Sequence, residues 1–396
     1  MTERRLDFDF ERRVDRRRFL RRTAGAGLAI SSLPALLAAC GGDDDDEAGG
    51  GEAAGERARV RWISPRATLE VMDDYNLWVP IKQGYFDDLN LDVQLIAGPQ
   101  DILAPTKFVA ENQADVGYPS PGVLVSSIAS GVPVISIWEQ YPAQVFGFSL
   151  PADSEITSAE QLEGKRIAAG FPGAEVIIDP LLVEIGVDPE SVTVVDGGQQ
   201  WNQIVAQGQA DAGLIWEGLR AQLLGQGLDL KFLLGSEFSD GPSNVYSIRK
   251  ADLEDEARRD AYTRFLQGVV MGFEFGKANP RAAAQLTYEE FPALQETLEP
   301  QIALESMMQL ASGYGATERA GQGWGYHVPE AWERYIKALA DLGQIEEELD
   351  PAEVFTNDFV ESANSGADVE RARSDAEAFE LSDEFANTEP PADLPL

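Results

Sequence analysis

The feature that most constrains the fold of this chain is a repeated segment. Ala114-Asp115-Val116-Gly117 is echoed by Ala210-Asp211-Ala212-Gly213, and each copy comes at the end of a helical stretch. The copies lie at equivalent points of two series in which strand patterns alternate with helical patterns. Such alternation is typical of α/β proteins. The repeat therefore predicts two α/β lobes of similar build.

Runs with period two or rich in β-branched residues predict the strands of both series. They cover residues 59–63, 91–96, 114–118 and 132–138 in the first series, and 166–169, 192–195 and 212–216 in the second. Two further strands, 145–150 and 244–248, flank the second series and are predicted to carry the chain between the lobes. Amphipathic patterns over 254–279, 299–313 and 329–343 predict C-terminal helices whose aromatic stripes pack in the core.

The N-terminus has the pattern of an export signal. Arg16-Arg17-Arg18-Phe19-Leu20-Arg21 resembles the twin-arginine motif. The apolar stretch that follows, residues 24–39, is too short and too rich in Gly and Ala to span a bilayer. It ends at Leu37-Ala38-Ala39-Cys40, which resembles a lipoprotein signal-peptidase site. We therefore expect a lipid on Cys40 and a protein anchored to the outer face of the cytoplasmic membrane.

These patterns predict six segments. They are a twin-arginine lipoprotein signal peptide (1–39), a flexible acidic tether (40–57), the first part of lobe 1 (58–147), lobe 2 (148–245), the return to lobe 1 with the C-terminal helices (246–362), and an acidic tail expected to be disordered (363–396). The tether is assigned because glycine contributes flexibility and an acidic run repels itself.

Composition excludes several classes of function. The formal net charge of −37 repels nucleic acid and is typical of a strongly solvated surface. With one Cys and one His, zinc sites, Cys/His pairs and Ser-His-Asp triads are hard to assemble. His327 itself is expected at the surface or at a helix cap. Chemistry by Glu, Asp or Lys stays possible on composition alone. We expect no cofactor, no metal and no catalytic activity, and a monomer.

Several short motifs then carry a family likeness. Gly84-Tyr85-Phe86 after a helix, residues 114–117, 162–168 and 208–212, and Trp332, 343–345 and 355–359 resemble, in this order, the landmarks of type II periplasmic solute-binding proteins. The likeness covers residues 58–362. It implies a two-lobed fold with a hinge and C-terminal helices. It also implies lobe closure around a small-molecule ligand, with an ABC permease and its ATPase as partners.

The subfamily that the chain resembles binds thiamine pyrimidine precursors, riboflavin-like heterocycles, or nitrate, sulfonates and taurine. Thiamine-pyrimidine binders often carry Asp-Trp-x-Pro-Asn followed by His, whereas residues 73–80 here read DDYNLWVP without a His. Some relatives of the fold make a thiamine pyrimidine from their own active-site His and Cys residues. This chain has one His, and its one Cys is expected to carry a lipid, so it lacks the residues for that reaction. A ligand sensor built on the same lobes is a further alternative.

In two-lobed α/β proteins the ligand lies beyond the carboxyl ends of the strands, between the lobes. The residues after the predicted strands are rich in aromatic rings, whose faces suit a flat heterocycle. The expected ligand-binding residues are Tyr75, Asn76, Trp78, Tyr118, Ser120, Trp138, Tyr141, Phe171, Gly173, Glu175, Trp201, Trp216 and Glu217. Among the polar groups, Asn76, Glu217 and also Glu139 are expected to hydrogen-bond ring nitrogens or an exocyclic amine.

A small anion such as sulfonate, taurine or nitrate is the alternative ligand. The Gly-rich turn at 170–174 precedes a helix, and its backbone N–H groups suit an anion. An ordinary strand-to-helix turn has the same pattern. No Arg or Lys follows the other predicted strands directly, and Arg66 is the nearest candidate. The sequence therefore favours a heterocycle over an anion.

Overall fold

The computed structural model describes residues 57–99 and 101–394. Within them the chain forms two separate sheets of five strands each, which belong to one compact unit. The strands are β1 (Ala58–Ile63), β2 (Leu91–Ile96), β3 (Val116–Gly117), β4 (Val134–Glu139), β5 (Phe146–Pro151), β6 (Arg166–Ala169), β7 (Thr193–Asp196), β8 (Ala212–Trp216), β9 (Leu230–Leu233) and β10 (Val245–Arg249).

The two sheets have the same order and the same strand directions. The first sheet, β2-β1-β3-β10-β4, defines lobe 1, and the second, β7-β6-β8-β5-β9, defines lobe 2. In each sheet the three strands at one side are parallel and the fourth, β10 or β5, is antiparallel to both neighbours. This confirms the predicted two-lobed α/β fold.

Asp115 and Asp211, from the repeated segment, have equivalent places in the two sheets. The N–H of Asp115 donates to the Arg61 carbonyl at 2.8 Å, and its carboxylate accepts the Arg61 N–H at 2.9 Å. Asp211 makes the same two bonds with Arg166, at 3.0 and 2.8 Å. A carboxylate thus holds the start of one parallel strand against its neighbour in both lobes, which gives the sequence repeat its structural reason.

The chain passes between the sheets twice. It leaves lobe 1 after β4 and returns after β9, through residues 140–145 and 234–244. The strands that follow, β5 and β10, are the two at which the sequence predicts the crossings. Two connections of this kind allow lobes to open and close about a hinge.

Seventeen helices surround the sheets in the described part of the chain. They are α1 (Tyr75–Lys82), α2 (Tyr85–Asp88), α3 (Ala104–Ala110), α4 (Pro121–Ala129), α5 (Glu175–Glu184), α6 (Trp201–Ala206), α7 (Leu219–Gly225), α8 (Glu256–Ala278), α9 (Pro280–Glu290), α10 (Pro292–Thr297), α11 (Pro300–Tyr314), α12 (Ala316–Arg319), α13 (Pro329–Asp341), α14 (Pro351–Val354), α15 (Val360–Gly366), α16 (Val369–Glu377) and α17 (Asp383–Ala386).

Helix α8 is the long amphipathic helix predicted from the sequence. It begins where the Asp255 carboxylate accepts the N–H groups of Ala257 and Arg258, a standard N-cap. Its apolar stripe is almost fully buried, from Tyr262 to Phe273. The prediction that this stripe is core is confirmed.

The C-terminal segment differs from the expected disordered tail. Beyond residue 362 the chain forms α16 and α17, and it buries Ala372, Ala376 and Phe385. Arg373 also donates to Glu274 of α8, at 2.9 Å from Nε. The acidic composition of this segment predicted disorder. A few small and aromatic residues at helical spacing nevertheless anchor the segment on the helical layer.

Two further points bound the description. The predicted signal peptide and Cys40 lie outside the described residues, as does all of the tether except Arg57. Among the described residues, the longest apolar stretches of helix fall short of what a membrane crossing requires.

Candidate ligand-binding site

A buried ionic group lies just beyond the end of β1. Arg66 hydrogen-bonds Asp74, and its Nη1 lies 3.5 Å from Oδ2 of Asp73. The Arg66 side chain is 18% exposed and each carboxylate 4%. Asp73 and Asp74, the acidic pair, directly precede α1, where negative charge is favourable.

The electrostatics of this group are unbalanced. Burial raises the pKa of Asp73 to about 6, against the opposing charge of Arg66, and the charge of Asp74 adds to the rise. Burial acts to lower the pKa of Arg66, but the acidic pair raises this pKa by more. The net pKa is raised, so the guanidinium stays charged. Asp73 is therefore a carboxylate that a nearby positive charge would stabilise.

Aromatic rings of lobe 1 surround this group. Tyr118, which follows β3, has its ring centroid 6.0 Å from the Arg66 guanidinium carbon and 5.6 Å from the ring of Trp62. The ring of Tyr246 on β10 lies 5.4 Å from that of Tyr118, and its hydroxyl accepts a hydrogen bond of 3.1 Å from Asn76. We call Arg66, the acidic pair, Trp62, Asn76, Tyr118 and Tyr246 the interlobe cluster.

Lobe 2 meets the interlobe cluster at the end of β8. Gly218 lies so close to Asp73 that an added Cβ would be 2.9 Å from Oδ1, and the Trp216 side chain acts to lower the pKa of Asp73. The C-terminal helix α11 closes a third side, because the Tyr314 hydroxyl donates to the Asp73 carbonyl at 3.0 Å. The cluster therefore lies at the boundary between the lobes.

The same helix fixes the start of α7. Gln309 accepts the N–H of Ala221 at 3.0 Å, and Ser306 donates to the carbonyl of Gly218 at 2.5 Å. Gly218 precedes α7 and has no side chain with which to cap it. Gln309 thus supplies a cap for α7, and Ser306 ties the Gly218 carbonyl to α11, so α11 holds the end of β8 in place.

Two tryptophans form an aromatic platform at the strand ends of lobe 2. The rings of Trp201 and Trp216 stack with centroids 6.1 Å apart and an interplanar angle of 23°. The Trp201 indole is fixed because its N–H donates to the carbonyl of Leu214 at 2.7 Å. Both side chains are half-buried, so this platform keeps accessible surface.

Several buried polar atoms without hydrogen-bond partners belong to the interlobe cluster or to residues near it in lobe 1. Most buried polar groups in proteins are paired, so unpaired ones are available to hydrogen-bond a small molecule. In the described part of the chain they include Trp62 Nε1, Arg66 Nε, Asp73 Oδ1, Asn76 Oδ1, Ser120 Oγ, Gln140 Oε1 and Asn244 Oδ1. All seven residues lie within or just after strands of lobe 1 or in the segments that adjoin them.

Some of the expected ligand-binding residues meet at this place. Asn76, Tyr118 and Trp216 contact it directly, and Ser120 follows two residues after Tyr118. Tyr141 lies one ring further away, edge-on to Tyr314 with centroids 5.6 Å apart. Sequence reasoning located these residues because they follow strands, and strand ends meet at the lobe boundary.

Three of the expected aromatics pack elsewhere. Tyr75 lies against α8, where Gly276 leaves room for its ring, and like Tyr141 it contacts Tyr314, at a centroid distance of 6.1 Å. Trp78 is edge-on to Phe291, at 5.1 Å. Trp138 is fully buried beneath Gly325. These placements correct the expectation: α1 and β4 turn these side chains towards the helical layer, and a linear sequence does not reveal that direction.

Two carboxylates expected to bind the ligand already have partners. Glu217 accepts from Arg220 at 2.9 Å; burial raises the pKa of Glu217 and Arg220 opposes the rise. Glu139 faces α13, accepting from the Val328 N–H and the Trp332 indole at 3.2 and 3.3 Å. Burial raises the pKa of Glu139 to about 8. The acidic pair takes the place that we expected for these two.

The Gly-rich turn lies beside lobe 1 but presents no charged group to the cluster. Gly173 has a φ of +81°, and an added Cβ there would be 3.7 Å from Ile102. Phe171 packs on the core, while Glu175 has an exposed side chain and a carbonyl that accepts from Gln344 at 3.1 Å. Its geometry is that of a strand-to-helix turn at a lobe contact.

His327 is neither at the surface nor at a cap, so that prediction is wrong. It is fully buried and shares hydrogen bonds with Ser136 Oγ (2.7 Å) and Asn357 Oδ1 (2.9 Å). Burial lowers its pKa to about 3, which keeps the ring neutral. The reason is that residues 355–357 fold back on β4 and cover it.

Sequence reasoning missed the acidic pair, Tyr246 and Tyr314. The acidic pair had a detectable signal, because two carboxylates stand together immediately before an apolar helix. Tyr246 had a weaker one, its place in a predicted crossing strand. Tyr314 had none, since it is 241 positions from the residue whose carbonyl it contacts.

Comparisons with known proteins agree with this geometry. Residues 74–283, just over half of the chain, match the family model described as NMT1/THI5-like. The riboflavin-binding protein RibY of Chloroflexus aurantiacus is 23% identical over 242 residues, which span 58% of this chain and 66% of that protein. The match thus stops just short of two thirds of the relative's length.

Solved structures share the fold. The alkanesulfonate-binding protein SsuA of Xanthomonas axonopodis pv. citri, bound to MOPS, superposes with a TM-score of 0.57 at 12% identity, over 76% of this chain and 98% of that one. The ligand-binding component of an ABC-type import system of Staphylococcus aureus gives 0.55 at 10% identity, over 78% and 99%. At these identities the likeness establishes the fold alone.

Proposed function

The chain belongs to the NMT1/THI5-like family, and from this premise we propose that it is the extracytoplasmic solute-binding component of an ABC importer. It captures a small molecule between its lobes and delivers it to a permease that an ATPase drives. The observation that carries this proposal is the interlobe cluster, which holds several unpaired buried polar atoms and contacts lobe 2 where Asp73 Oδ1 faces Gly218. A ligand that touches both lobes favours their closed arrangement.

We propose a small flat heterocycle, such as a thiamine pyrimidine precursor or a riboflavin-like ring, as the ligand. Aromatic faces come from both lobes: Tyr118 and Tyr246 on one side, the Trp201–Trp216 platform on the other. Stacking on such faces contributes about 0.5–1.5 kcal/mol per ring pair beyond burial. The name of the RibY relative is consistent with a heterocyclic ligand.

A small anion is the second candidate, favoured by the helix N-terminus at α4. Ser120 precedes that helix, and its buried hydroxyl has no partner in the described structure. Against an anion stands the acidic pair, which already occupies the charge of Arg66. We therefore rank the anion below the heterocycle.

Binding without catalysis is part of the proposal. The single histidine, His327, is buried in a bonded group with Ser136 and Asn357, which meets the interlobe cluster through a bond from Ser136 Oγ to the Tyr246 carbonyl (3.3 Å) and not through the His327 ring. The one cysteine, Cys40, is assigned to lipid attachment. Reporting a ligand to a membrane partner, rather than transport, would use the same lobes, and uptake assays in cells lacking the gene separate the two roles.

The anchor has its own test. Substituting Cys40→Ala should shift the protein from the membrane fraction to the soluble extracytoplasmic fraction, and labelled fatty acid should no longer be incorporated. Membrane retention of the variant would contradict lipid attachment at Cys40.

Ligand binding is tested with the protein purified from cells and a low-molecular-mass metabolite extract. Native mass spectrometry should detect a retained small molecule, and adding the extract should lower the radius of gyration in solution scattering. Trp216→Ala should weaken this response about tenfold. Leu224→Ala, which removes a 48% exposed side chain of the same lobe, should leave it unchanged. No response of the wild type to any extract would defeat the proposal.

A further inference from the structure

The charges at the lobe boundary leave an excess of one negative charge. Arg66 carries one positive charge and the acidic pair two negative ones. The groups that face them from other elements are Tyr118, Tyr246, Tyr314, Trp216 and Gly218, none of which is charged. Glu217, the next carboxylate of lobe 2, is paired with Arg220. No cation among the described side chains at this boundary offsets the excess.

Hydrogen bonding at the same place is incomplete on both sides. Oδ1 of Asp73, Oδ1 of Asn76 and Oδ1 of Asn244 are buried acceptors without a partner in the described structure. The unpaired donors are Arg66 Nε, Trp62 Nε1 and the Ser120 hydroxyl, all of them uncharged except Arg66, and the Trp216 side chain is a further neutral donor to the Asp73 carboxylate. An asparagine amide can turn to exchange donor for acceptor, but an ionised carboxylate only accepts. Asp73 Oδ1 is therefore the atom that requires a donor.

Asp73 also lies where a ligand between the lobes would contact both of them. It precedes α1 in lobe 1, and its Oδ1 faces Gly218 in lobe 2. Its side chain is only 4% exposed, and its backbone carbonyl is fixed by Tyr314. A buried carboxylate with one unpaired oxygen is stabilised most by a charged donor.

We propose, on the basis of the solute-binding function above, that the ligand carries a cationic nitrogen group, a protonated amine or an amidinium attached to a flat ring, which binds Asp73. Such a group cancels the excess charge and donates to Oδ1, and its remaining N–H groups suit the amide oxygens of Asn76 and Asn244. The ring lies against the aromatic faces. An anionic ligand would instead add a second uncompensated negative charge.

The ionisation of Asp73 sets a pH dependence. Burial places the pKa of Asp73 near 6, with Arg66 lowering it and Asp74 raising it. At pH 7.5 the carboxylate is ionised and ready for a cation, whereas below pH 6 protonation competes with binding. The affinity for a cationic probe should therefore fall as the pH decreases from 7.5 to 5.

Three probes of the same shape and different charge test this inference. Benzamidine is cationic, benzamide neutral and benzoate anionic, and calorimetry of the purified protein at pH 7.5 should rank their affinities in that order. Asp73→Asn should weaken benzamidine binding at least about tenfold, because it removes a charged acceptor. Asp92→Asn, an exposed carboxylate on β2 paired with Arg59, makes the same change of net charge and should leave the affinity unchanged.

The outcomes separate this inference from the proposed function. Benzoate binding as tightly as benzamidine, no binding of benzamidine, or an unaltered affinity in Asp73→Asn would each overturn the cationic ligand class. If a metabolite extract still closes the lobes in those cases, solute binding stands and the class is wrong. If the extract has no effect either, both proposals fail.

Discussion

Gly218 and Asp73 come from different lobes, yet the Asp73 carboxylate occupies the space that a side chain on Gly218 would need. The glycine also has a φ of +92°, a conformation that other residues rarely adopt. Backbone conformation and steric space thus both require glycine at the point where lobe 2 meets the acidic pair. If the lobes close around a ligand as proposed, this contact limits how closely they approach.

Replacing Gly218→Ala should impair closure more than stability. A Cβ at a positive φ costs about 1–2 kcal/mol of folding free energy. The added methyl group would lie 2.9 Å from Oδ1 of Asp73, so the lobes should not reach the closed distance. We expect the amount of metabolite extract needed for a half-maximal change in tryptophan fluorescence to rise at least about tenfold. The radius of gyration with extract should be larger than that of the wild type.

Gly227→Ala is the matched control for this change. Gly227 has a φ of +79°, and nothing lies within 4 Å of an added Cβ. It should show only the loss of unfolding free energy that a positive φ causes, and a normal ligand response. Equal ligand responses of the two variants would argue against the steric role of Gly218.

Glu139→Gln should stabilise the protein at alkaline pH. The folded-state pKa of Glu139 is raised to about 8, so folding favours the protonated form and stability is lost as pH rises through that value. Glutamine keeps an acceptor for the Trp332 indole and the Val328 N–H without the buried charge. Urea unfolding at pH 5 and pH 9 should show a gain of a few kcal/mol for the variant at pH 9 alone. Parallel pH profiles would show that Glu139 does not titrate in this range.

Arg373→Ala should loosen the C-terminal segment from the core. It removes the cation that pairs with Glu274, a carboxylate only 4% exposed, and leaves the Trp324 indole as its remaining donor. Because Arg373 is itself 52% exposed, we expect a loss of about 1–2 kcal/mol, less than for a fully buried pair. Thermal unfolding measures the loss, and proteolysis should begin near the C-terminus.

Two further variants control this experiment. Arg334→Ala breaks an exposed pair with Asp240 and should cost no more than about 0.5 kcal/mol. Adding Glu274→Gln to Arg373→Ala should restore part of the stability, since it removes the unpaired buried charge. A double variant no more stable than the single one would show that packing, not charge, attaches the segment.

Asp115→Asn and Asp211→Asn should differ although the two residues have equivalent places. Asp115 also pairs with Arg258 at 3.1 Å and Arg249 at 3.5 Å, beyond its bonds to Arg61. We expect a loss of about 2–3 kcal/mol for Asp115→Asn and about 1 kcal/mol for Asp211→Asn in urea unfolding. Equal losses would mean that the backbone bonds alone matter.

The Asp115 variant should also change the acid stability. Burial acts to raise the folded-state pKa of Asp115, but hydrogen bonds from Arg61 lower this pKa below its unfolded value. Its contribution is present above about pH 3.9 and is lost as the pH falls through the folded-state pKa. The difference between wild type and Asp115→Asn should therefore shrink on acidification below pH 4.

The sequence by itself determined the two-lobed architecture. The repeat around Asp115 and Asp211 indicated a duplicated unit because each aspartate bonds the neighbouring strand in the same way, a local interaction that a local motif encodes. Alternating strand and helix patterns placed Tyr118 and Trp216 after strands, and parallel strands end at the same edge of a sheet. Local periodicity therefore predicted both the fold and one part of the candidate site.

Only the tertiary structure decided which polar groups face the boundary. Glu139 ends β4 and Glu217 follows β8, much as the acidic pair comes after β1, yet Glu139 turns to α13 and Glu217 to Arg220. Tyr314 reaches Asp73 across 241 positions of the chain. Side-chain direction and long-range contacts depend on how whole elements pack against each other. The C-terminal helices fix both. The residues that these helices cover carry no local sequence pattern that indicates this packing.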